Sequence, residues 1–441
     1  MKKNNQLSLM VGIYSIVALA LAPYATADAG NGIATGTITS PSGSSGQQAS
    51  FQALNQICTG SFSAASFACS LTGGGVFSLG AGGGGAALNN SLQMQQISPQ
   101  AVIQAESIAI TSPYQFIRGV TRHLEKRKDS SLPSSGDGSD AYSFIGPFGV
   151  SFSGGGGFGD RNTSVGQTGF KIDTRQANLI IDYPFAQNLI GGFSFGYLNT
   201  NRNLGLASGS LDSDSYRFAP FLSYTPTHNS YVTLMGGYAR VNFDSTRSVS
   251  STTNINQFGD TVTSRASDAK ASYGANEYFA SLGAGYTYTL DAWSLRGYGR
   301  GDYSHSNIAS FQESGAIASD GFSYANNVNG QRILSATSTL GAELSYAIST
   351  NTLAAVVIPR LHAEWVHEFQ NSGRTIQANF NQFNVSTGPI AVAGPERNWA
   401  NLGFGVQMLF PHALVGYLNY DTLFIQNASN QTVSGGVRVN F

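Results

Sequence analysis

The sequence is poor in charge and lacks long apolar runs beyond its N-terminus. Charged residues make up 11% of the 441 residues, less than half of the about 25% that is usual in soluble domains. The net charge of -1 provides no basic surface, so nothing favours binding to nucleic acid. A helical membrane protein would show apolar runs of about 20 residues, and after the N-terminus there is none. Glycine and aromatic residues are plentiful instead, with 53 Gly, 27 Phe and 20 Tyr, and disordered chains are poor in aromatics.

The first 27 residues have the three parts of an export signal. Lys2 and Lys3 supply a positive start, residues 7–21 are almost entirely apolar or small, and Ala25-Thr26-Ala27 is a small-x-small cleavage site. The alternative, an uncleaved anchor helix, would need a longer apolar run. We therefore predict a signal peptide over residues 1–27, cleaved after Ala27, and a mature chain outside the cytoplasm.

Residues 28–98 are rich in Gly, Ser, Ala, Thr and Asn and read as a short passenger or linker segment. They contain both cysteines of the chain, Cys58 and Cys69, which an oxidising compartment would allow to pair. The alternative is a metal site, but two thiolates with no nearby His do not complete a tetrahedral shell. We predict a structural disulfide between Cys58 and Cys69, and no cofactor.

Residues 99–140 change character and predict a helix followed by a linker. Apolar residues recur at helical spacing: Phe116, Ile117, Val120 and Leu124. Cations crowd the end of this stretch, which suits a helix C-terminus; they are Arg118, Arg122, Lys126, Arg127 and Lys128. Pro113 can begin this helix, and residues 99–110 can form an earlier one. A basic amphipathic helix can be an ordinary surface helix, or it can lie in a pore or on a membrane. Residues 130–140 form the linker, the best domain boundary in the chain.

From residue 141 to the end, segments of strand character replace the helical pattern. They are residues 143–153, 174–185, 190–200, 215–225, 231–243, 277–290, 293–304, 337–348, 354–369, 399–410, 414–425 and 432–441. Transmembrane strands need roughly 9–11 residues, and several of these segments have one apolar and one polar face. The predicted fold is all-β: an antiparallel up-and-down transmembrane barrel of about 12 strands over residues 141–441, preceded by a short helix.

The connections between these segments alternate in length. Tight turns are predicted at residues 186–189, 226–230, 291–292, 349–353 and 411–413, and longer links at 154–173, 201–214, 244–276, 305–336 and 370–398. Only the last hairpin, near residues 427–431, departs from the pattern. A barrel whose two ends face the periplasm and the outside shows this alternation, whereas a soluble sandwich has no reason to keep every second loop tight.

Charged side chains gather on one face of two strands. Arg296, Arg300 and Asp302 share a face of residues 293–304, and Arg360, His362, Glu364 and Glu368 share a face of residues 354–369. A cation that faces lipid at mid-depth would cost about 2–4 kcal/mol, so these faces must look into the lumen. His and carboxylates at this spacing could serve acid–base chemistry or bind a metal. Narrow barrels ordinarily fill their lumen with such residues, so we predict a polar network and assign no catalytic or metal-binding residue.

Two other pairs of polar residues have weaker patterns. Asp212 and Asp214 are expected at an extracellular loop tip, where they could contact a divalent cation. Asp302 near His305 is placed in a similar way.

One predicted strand contains Ile358-Pro359, Ala363-Glu364-Trp365 and His367-Glu368-Phe369. The sequence ends in Phe441 with apolar residues at alternate positions before it, among them Val437 and Val439. Through these residues, the C-terminal 300 or so residues resemble the autotransporter β-barrel domain of type V secretion. The resemblance implies a 12-stranded barrel with a helix threaded through its lumen, and residues 99–128 are the candidate for this pore helix, followed by the linker up to residue 140. It also implies that the barrel-assembly machinery reads the terminal Val437, Val439 and Phe441. The chain departs from the family pattern in its passenger segment. Residues 28–98 are too few to form a stacked solenoid, which needs three or more repeats of about 20–50 residues.

The expected function follows from this resemblance and from the barrel pattern. We predict an outer-membrane barrel, exported through a cleaved signal peptide, that anchors a short N-terminal segment and helps to translocate it to the cell surface. The alternative is a porin-like or structural barrel that acts through its long extracellular loops. The expected partners are outer-membrane lipid, the barrel-assembly machinery and periplasmic chaperones, and the long loops could contact ligands on host surfaces.

Overall fold

One helix precedes twelve barrel strands in the part of the chain that is described. A computed structural model describes residues 100–129, 148–162, 169–205, 209–248, 250–254, 261–265, 267–317, 323–350, 354–382, 385–392, 394–411, 414–425 and 428–440. The helix, α1, is Gln100–Asp129. The barrel strands are β1 Gly149–Arg161, β2 Phe170–Ala186, β3 Leu189–Leu204, β4 Gly209–Thr227, β5 Ser230–Arg247, β6 Ala269–Leu290, β7 Trp293–Ile308, β8 Gln331–Tyr346, β9 Val356–Glu368, β10 Asn398–Phe410, β11 Leu414–Ile425 and β12 Ala428–Asn440.

Several predicted features lie outside the described residues. They are the signal peptide 1–27, the segment 28–98 with Cys58 and Cys69, the linker 130–140, the first part of the first predicted strand, and Phe441.

The strands close into a barrel. Each pairs antiparallel with the strand that follows it, and β1 pairs with β12 from Gly149↔Asn440 to Arg161↔Ala428. Closure leaves the wall without an open edge, which hydrocarbon would not tolerate. The predicted all-β fold, an antiparallel barrel with a preceding helix, is confirmed.

Along the strands, side chains alternate between an apolar outer surface and the buried lumen. On β9, Leu361 is 59% exposed and Trp365 47% exposed, whereas Glu364 is 3% exposed. The outward positions of the other strands also carry large apolar residues, among them Phe193, Phe218, Leu282, Leu340 and Phe404. This outer belt is where lipid chains meet the wall.

One end of the barrel has tight turns. Only residues 187–188 join β2 to β3, residues 228–229 join β4 to β5, and Asp291 and Ala292 join β6 to β7. The longest links, residues 248–268, 309–330 and 369–397, lie at the opposite end. We call these the short-turn end and the long-link end. At the long-link end, the strands Phe311–Gln312, Asn326–Val328, Arg374–Phe380 and Val385–Val392 form a separate four-stranded sheet.

Several strands extend further toward the long-link end than their hydrophobic pattern predicts. β6 begins at Ala269 rather than at residue 277, and β4 begins at Gly209 rather than at residue 215. The expected loop tip at Asp212 and Asp214 is therefore wrong, because both residues lie within β4. Strand residues that extend beyond the lipid need no apolar face, so they do not alternate in hydrophobicity. The backbone hydrogen bonds between the strands nevertheless continue there.

The helix is continuous where the sequence suggests two pieces. Pro113 lies inside α1 rather than at its start, although proline in a helix interior costs about 3 kcal/mol or more. Ile108, Ala109 and Ile110 before the proline, and Phe116 and Ile117 after it, are all buried against the barrel wall. Burial on both sides of Pro113 offsets the local cost.

The helix lies in the lumen and runs along it. Ala105 and Ile108 pack with Leu211 and Ala271 near the long-link ends of β4 and β6, whereas His123 reaches Asp182 near the short-turn end of β2. The N-terminus of α1 therefore points to the long-link end. No helix among the described residues is long and apolar enough to cross a membrane.

Candidate functional site

Two opposite faces of α1 meet two different walls of the lumen. Tyr114, Arg118 and Arg122 recur at every fourth position and so share one face. The residues of the other face are Phe116, Ile117, Val120 and Leu124, and all of them are buried. The helix thus presents a cationic and an apolar side, and each side has a matching wall.

The charged wall is built from β9 and β11. Arg118 forms an ion pair with Glu364, with Nε 2.8 Å from Oε2, and its Nη2 donates to Asp421 Oδ1 at 2.9 Å. Arg122 binds the Asp421 carboxylate through both of its terminal nitrogens, each at 2.7 Å. His362 Nε2 accepts from Arg118 Nη2 at 2.8 Å. Charge-assisted and bidentate contacts of this kind are the strongest hydrogen bonds in proteins, so they hold the helix at one height and one rotation.

Neutral donors complete the surroundings of Glu364. The hydroxyl of Tyr114 donates to Oε2 at 3.0 Å, the hydroxyl of Tyr298 donates to Oε1 at 2.7 Å, and Asn401 Nδ2 donates to Oε2 at 2.8 Å. A buried carboxylate is stable only when it is paired and hydrogen-bonded. Glu364 receives donors from α1, β7 and β10 in addition to Arg118, so it links the helix to several strands at once.

A second ionic group lies nearer the short-turn end. Arg438 on β12 donates to both oxygens of Asp182 on β2, at 2.6 and 3.1 Å. His123 of α1 joins this pair: its Nε2 lies 3.0 Å from Asp182 Oδ2 and accepts from Arg438 Nη1 at 2.7 Å. Because Asp182 is 0% exposed, this group fixes the last turns of the helix beside the β1–β12 junction.

The apolar wall faces the other side of the helix. It is formed by lumen-facing residues of β2, β4, β5 and β6: Ile180, Ala219, Phe221, Met235 and Phe279. Phe116 meets Phe279 edge to face at 5.6 Å between ring centroids. Arg217 on β4 donates to the backbone carbonyl of Ser112 at 2.8 Å, directly before Pro113.

The structure divides the predicted lumen residues into two sets. Glu364 and His362 contact the helix, as described above. Arg296 and Arg360 instead share Glu343 of β8, at 3.1 and 3.3 Å. Glu368 accepts from the backbone amides of Ala336 and Gln370, each at 2.9 Å.

Arg300 and Asp302 form a further pair within β7. Arg300 Nε lies 2.8 Å from Asp302 Oδ2, and the guanidinium carbon of Arg300 stands 5.3 Å from the ring centre of Tyr114. His305 is not part of it, because its Nε2 contacts Asn307 at 3.0 Å on the outer face. On β12, Val437 is exposed on the outer surface, and Val439 shares its face at two residues' spacing.

Sequence reasoning did not identify Asp182, Asp421 and Arg438 as members of the site. Asp421 and Arg438 are each the single charged residue of their strand, and Asp182 stands apart from the other charged residues of β2. The partners of all three come from distant parts of the chain. The period-two pattern does place Asp421 on the face of β11 opposite Leu418 and Tyr420. That signal could have assigned it to the lumen, but not to Arg118 and Arg122.

The arrangement is suited to holding a helix. The His and carboxylate groups of the charged wall are occupied by arginines and by one another. Among the described residues, no group of three or more His, Cys, Asp or Glu side chains is placed to hold a metal ion.

Comparison with known proteins agrees with this geometry. The profile of the family described as Autotransporter beta-domain matches residues 150–421. The chain belongs to the autotransporter family. Among solved structures, the translocator domain of the autotransporter NalP from Neisseria meningitidis is similar with a TM-score of 0.53 and 14% identity, over 76% of this chain and 99% of that one. At that identity the similarity shows the fold alone.

Other solved autotransporters align less closely. The β-domain of the Bordetella autotransporter BrkA has a TM-score of 0.44 and 14% identity, over 66% of this chain and 99% of that one. The transport unit of AIDA-I from Escherichia coli has a TM-score of 0.43 and 12% identity, over 71% of this chain and 96% of that one. No curated protein matches the sequence. The autotransporter β-domain is an outer-membrane barrel, so lipid surrounds its apolar belt.

Proposed function

We propose that this autotransporter barrel translocates the segment of residues 28–98 to the cell surface and then anchors it there through α1. The observation that carries the proposal is the course of the helix. α1 lies in the lumen with its N-terminus at the long-link end, so the chain that precedes it leaves the barrel at that end. With the long links outside the cell, residues 28–98 are displayed on the surface.

The two ionic groups explain how the segment would stay attached. Arg118 and Arg122 bind Glu364 and Asp421, and His123 joins Asp182 and Arg438. Withdrawing α1 in either direction would leave these buried charges unpaired. Removing one partner of a buried ion pair typically costs about 3–5 kcal/mol. The barrel therefore holds the helix as a tether once the preceding segment has passed.

Export and assembly complete the proposal. Residues 1–27 act as a signal peptide that is cleaved after Ala27, and periplasmic chaperones deliver the unfolded barrel to the barrel-assembly machinery. The outward Val437 and Val439 and the terminal Phe441 form the segment that this machinery reads. Deleting Phe441 is expected to lower the amount of heat-modifiable barrel in the outer membrane. Unchanged barrel levels in the deletion strain would contradict a role for this terminus.

An epitope tag in the exported segment tests the proposal directly. The tag is inserted after Ser44, and intact cells are exposed to antibody and to protease. We expect labelling and cleavage from outside. A matched control carries the same tag in the tight turn at residues 228–229, which is expected to stay protected in intact cells and to become accessible after the outer membrane is permeabilised.

Two outcomes would contradict translocation. If the Ser44 tag is protected while the tag at residues 228–229 is accessible, the orientation is inverted. If the Ser44 tag is protected with the orientation as proposed, and the purified protein conducts ions in planar bilayers, the chain acts as a porin-like barrel.

A further inference from the structure

A third face of α1 looks into open space rather than onto either wall. Gln115 and Gly119 share this face at four residues' spacing, and Gly119 is exposed although the helix lies inside the barrel. Nothing stands within 4 Å of a side-chain carbon built on Gly119. The space in front of it has a volume of about 70 Å³ and is bounded by β1, β2, β11 and β12. We call this space the lumen passage.

The passage exists because β1 has no side chains on part of its lumen face. Ser153 of β1 lines the passage. The lumen-facing positions that follow it before Arg161 are all glycine, because side chains alternate along a strand. The neighbouring strands contribute amide and hydroxyl groups: Gln176, Asn178, Asn419, Asn430, Thr432 and Ser434. The helix therefore faces a polar wall across an open space.

Size and lining decide what the passage can hold. Its volume of about 70 Å³ gives room for about five water molecules at roughly 15 Å³ each. Ligand pockets usually measure about 300–1,000 Å³, so a sugar or a peptide is too large. Arg118 and Arg122 stand at its edge, but Glu364 and Asp421 balance their charge. The passage is suited to water and small ions.

One ionic group closes the passage toward the short-turn end. Arg438 reaches from β12 across β1 to Asp182 on β2, and a side-chain carbon built on Gly149 of β1 would collide with its guanidinium. His123 joins the group from the helix, one turn beyond the exposed Gly119. Arg438 is 3% exposed and His123 4% exposed. We call Arg438, Asp182 and His123 the Arg438 gate.

We propose that the lumen passage is a conduit for water and small ions, which the Arg438 gate keeps closed at the short-turn end. The guanidinium closes it by covering the bare backbone of Gly149, where β1 offers no side chain of its own. Arg118 and Arg122 hold the helix at another level, so the gate can open while the helix stays in place. The proposal does not depend on whether residues 28–98 are exported, and its failure would leave the proposed translocation untouched.

Single-channel recording of the purified full-length protein in planar bilayers tests the gate. Arg438→Ser removes the guanidinium, and His123 keeps its contact with Asp182 at 3.0 Å. We expect conductance about tenfold above that of the unaltered protein, which corresponds to a barrier lower by about 1.4 kcal/mol. The current should be steady, because Arg118 and Arg122 still bind the wall. It should also favour cations in a KCl gradient, because the carboxylate of Asp182 remains at the narrow end.

A second variant opens the gate without removing a charge. Gly149→Ala adds a methyl group where the guanidinium lies, so Arg438 must move off β1. We expect a smaller rise in conductance of about threefold. Heat modifiability shows whether each variant is folded, and Gly149→Ala decides the test if Arg438→Ser does not fold.

A plug on the helix side shows where the current flows. Gly119→Leu places an apolar side chain in the passage, and apolar constrictions stop conduction by excluding water. Combined with either gate variant, it is expected to restore the conductance of the unaltered protein. The matched control is Gly297→Leu on the outer face of β7, where nothing stands within 4 Å of the added carbon either. Combined with the same gate variant, it should leave the raised conductance unchanged.

Three results would overturn the proposal. The first is an unaltered protein that already conducts as well as the gate variants, because the passage would then not be closed by Arg438. The second is the absence of any rise in conductance in the folded gate variants. The third is a raised conductance that persists when Gly119→Leu is added, because the ions would then follow another path.

Discussion

The two walls of the lumen hold the same helix by different forces. The wall of β2, β4, β5 and β6 packs Phe221, Met235 and Phe279 against the apolar face of α1. The wall of β9 and β11 binds Arg118 and Arg122 through Glu364 and Asp421. Apolar burial is non-directional and roughly proportional to area, so the first wall favours the presence of the helix without specifying its position. Bidentate ion pairs require one geometry, so the second wall selects the height and rotation.

The largest effect is expected when the charged wall loses Asp421. In Asp421→Ala, Arg118 and Arg122 lose a shared buried carboxylate, and we expect the free energy of unfolding to fall by about 3–5 kcal/mol. Urea unfolding in detergent micelles measures this, and bilayer recordings should show new current fluctuations as the helix loosens. Asp421→Asn keeps an acceptor oxygen, so its free energy of unfolding should fall by less. A loss below about 1 kcal/mol, typical of exposed pairs, would contradict the anchoring role.

A smaller effect is expected from a charged residue of β9, the other strand of the charged wall, that has no hydrogen bond or ion pair with the helix. Glu368 accepts backbone amides of Ala336 and Gln370 at the long-link end of β9. Glu368→Ala leaves those donors without their partner, and we expect a loss of about 1–3 kcal/mol by urea unfolding. Since α1 keeps its ion pairs, the current in bilayer recordings should fluctuate no more than that of the unaltered protein. If the current fluctuations were as large as those of Asp421→Ala, the position of the helix would depend on the charge of the wall rather than on direct contact with the helix.

The smallest effect is expected on the apolar wall. Ile180 of β2 packs against the helix cluster, and Ile180→Val removes one methylene group with an expected loss of about 0.5–1.5 kcal/mol. The matched control is Ile181→Val, the same change at the next residue, which faces lipid and should be nearly neutral. An equal loss at both positions would show that packing against α1 does not distinguish the two faces of β2.

Particular residues show how far sequence reasoning could reach. The alternation of Arg360, His362 and Glu364 with Leu361, Ala363 and Trp365 was sufficient to place a polar face inward, because a cation facing lipid is costly. Arg118 and Arg122 were visible as cations of a helix, and the spacing suggested a helix terminus as their role. Their partners, Glu364 and Asp421, lie far away in the sequence: the hydrogen bonds from Arg122 and Arg118 to Asp421 span 299 and 303 residues. No local pattern relates positions so far apart.

The sequence alone determined the fold class, the order of twelve strands and the tight turns that join β2 to β3, β4 to β5 and β6 to β7, because these follow from local chemistry: a period of two in hydrophobicity and turn-forming residues between the strands. The predicted long link at residues 201–214 is wrong, because β3 and β4 extend until only residues 205–208 join them. Only the tertiary structure decided that α1 continues through Pro113, which arginine meets which carboxylate, and that Asp212 lies in a strand above the lipid belt. Those features depend on barrel closure, which brings strands from both ends of the chain around one helix and sets their distances in three dimensions.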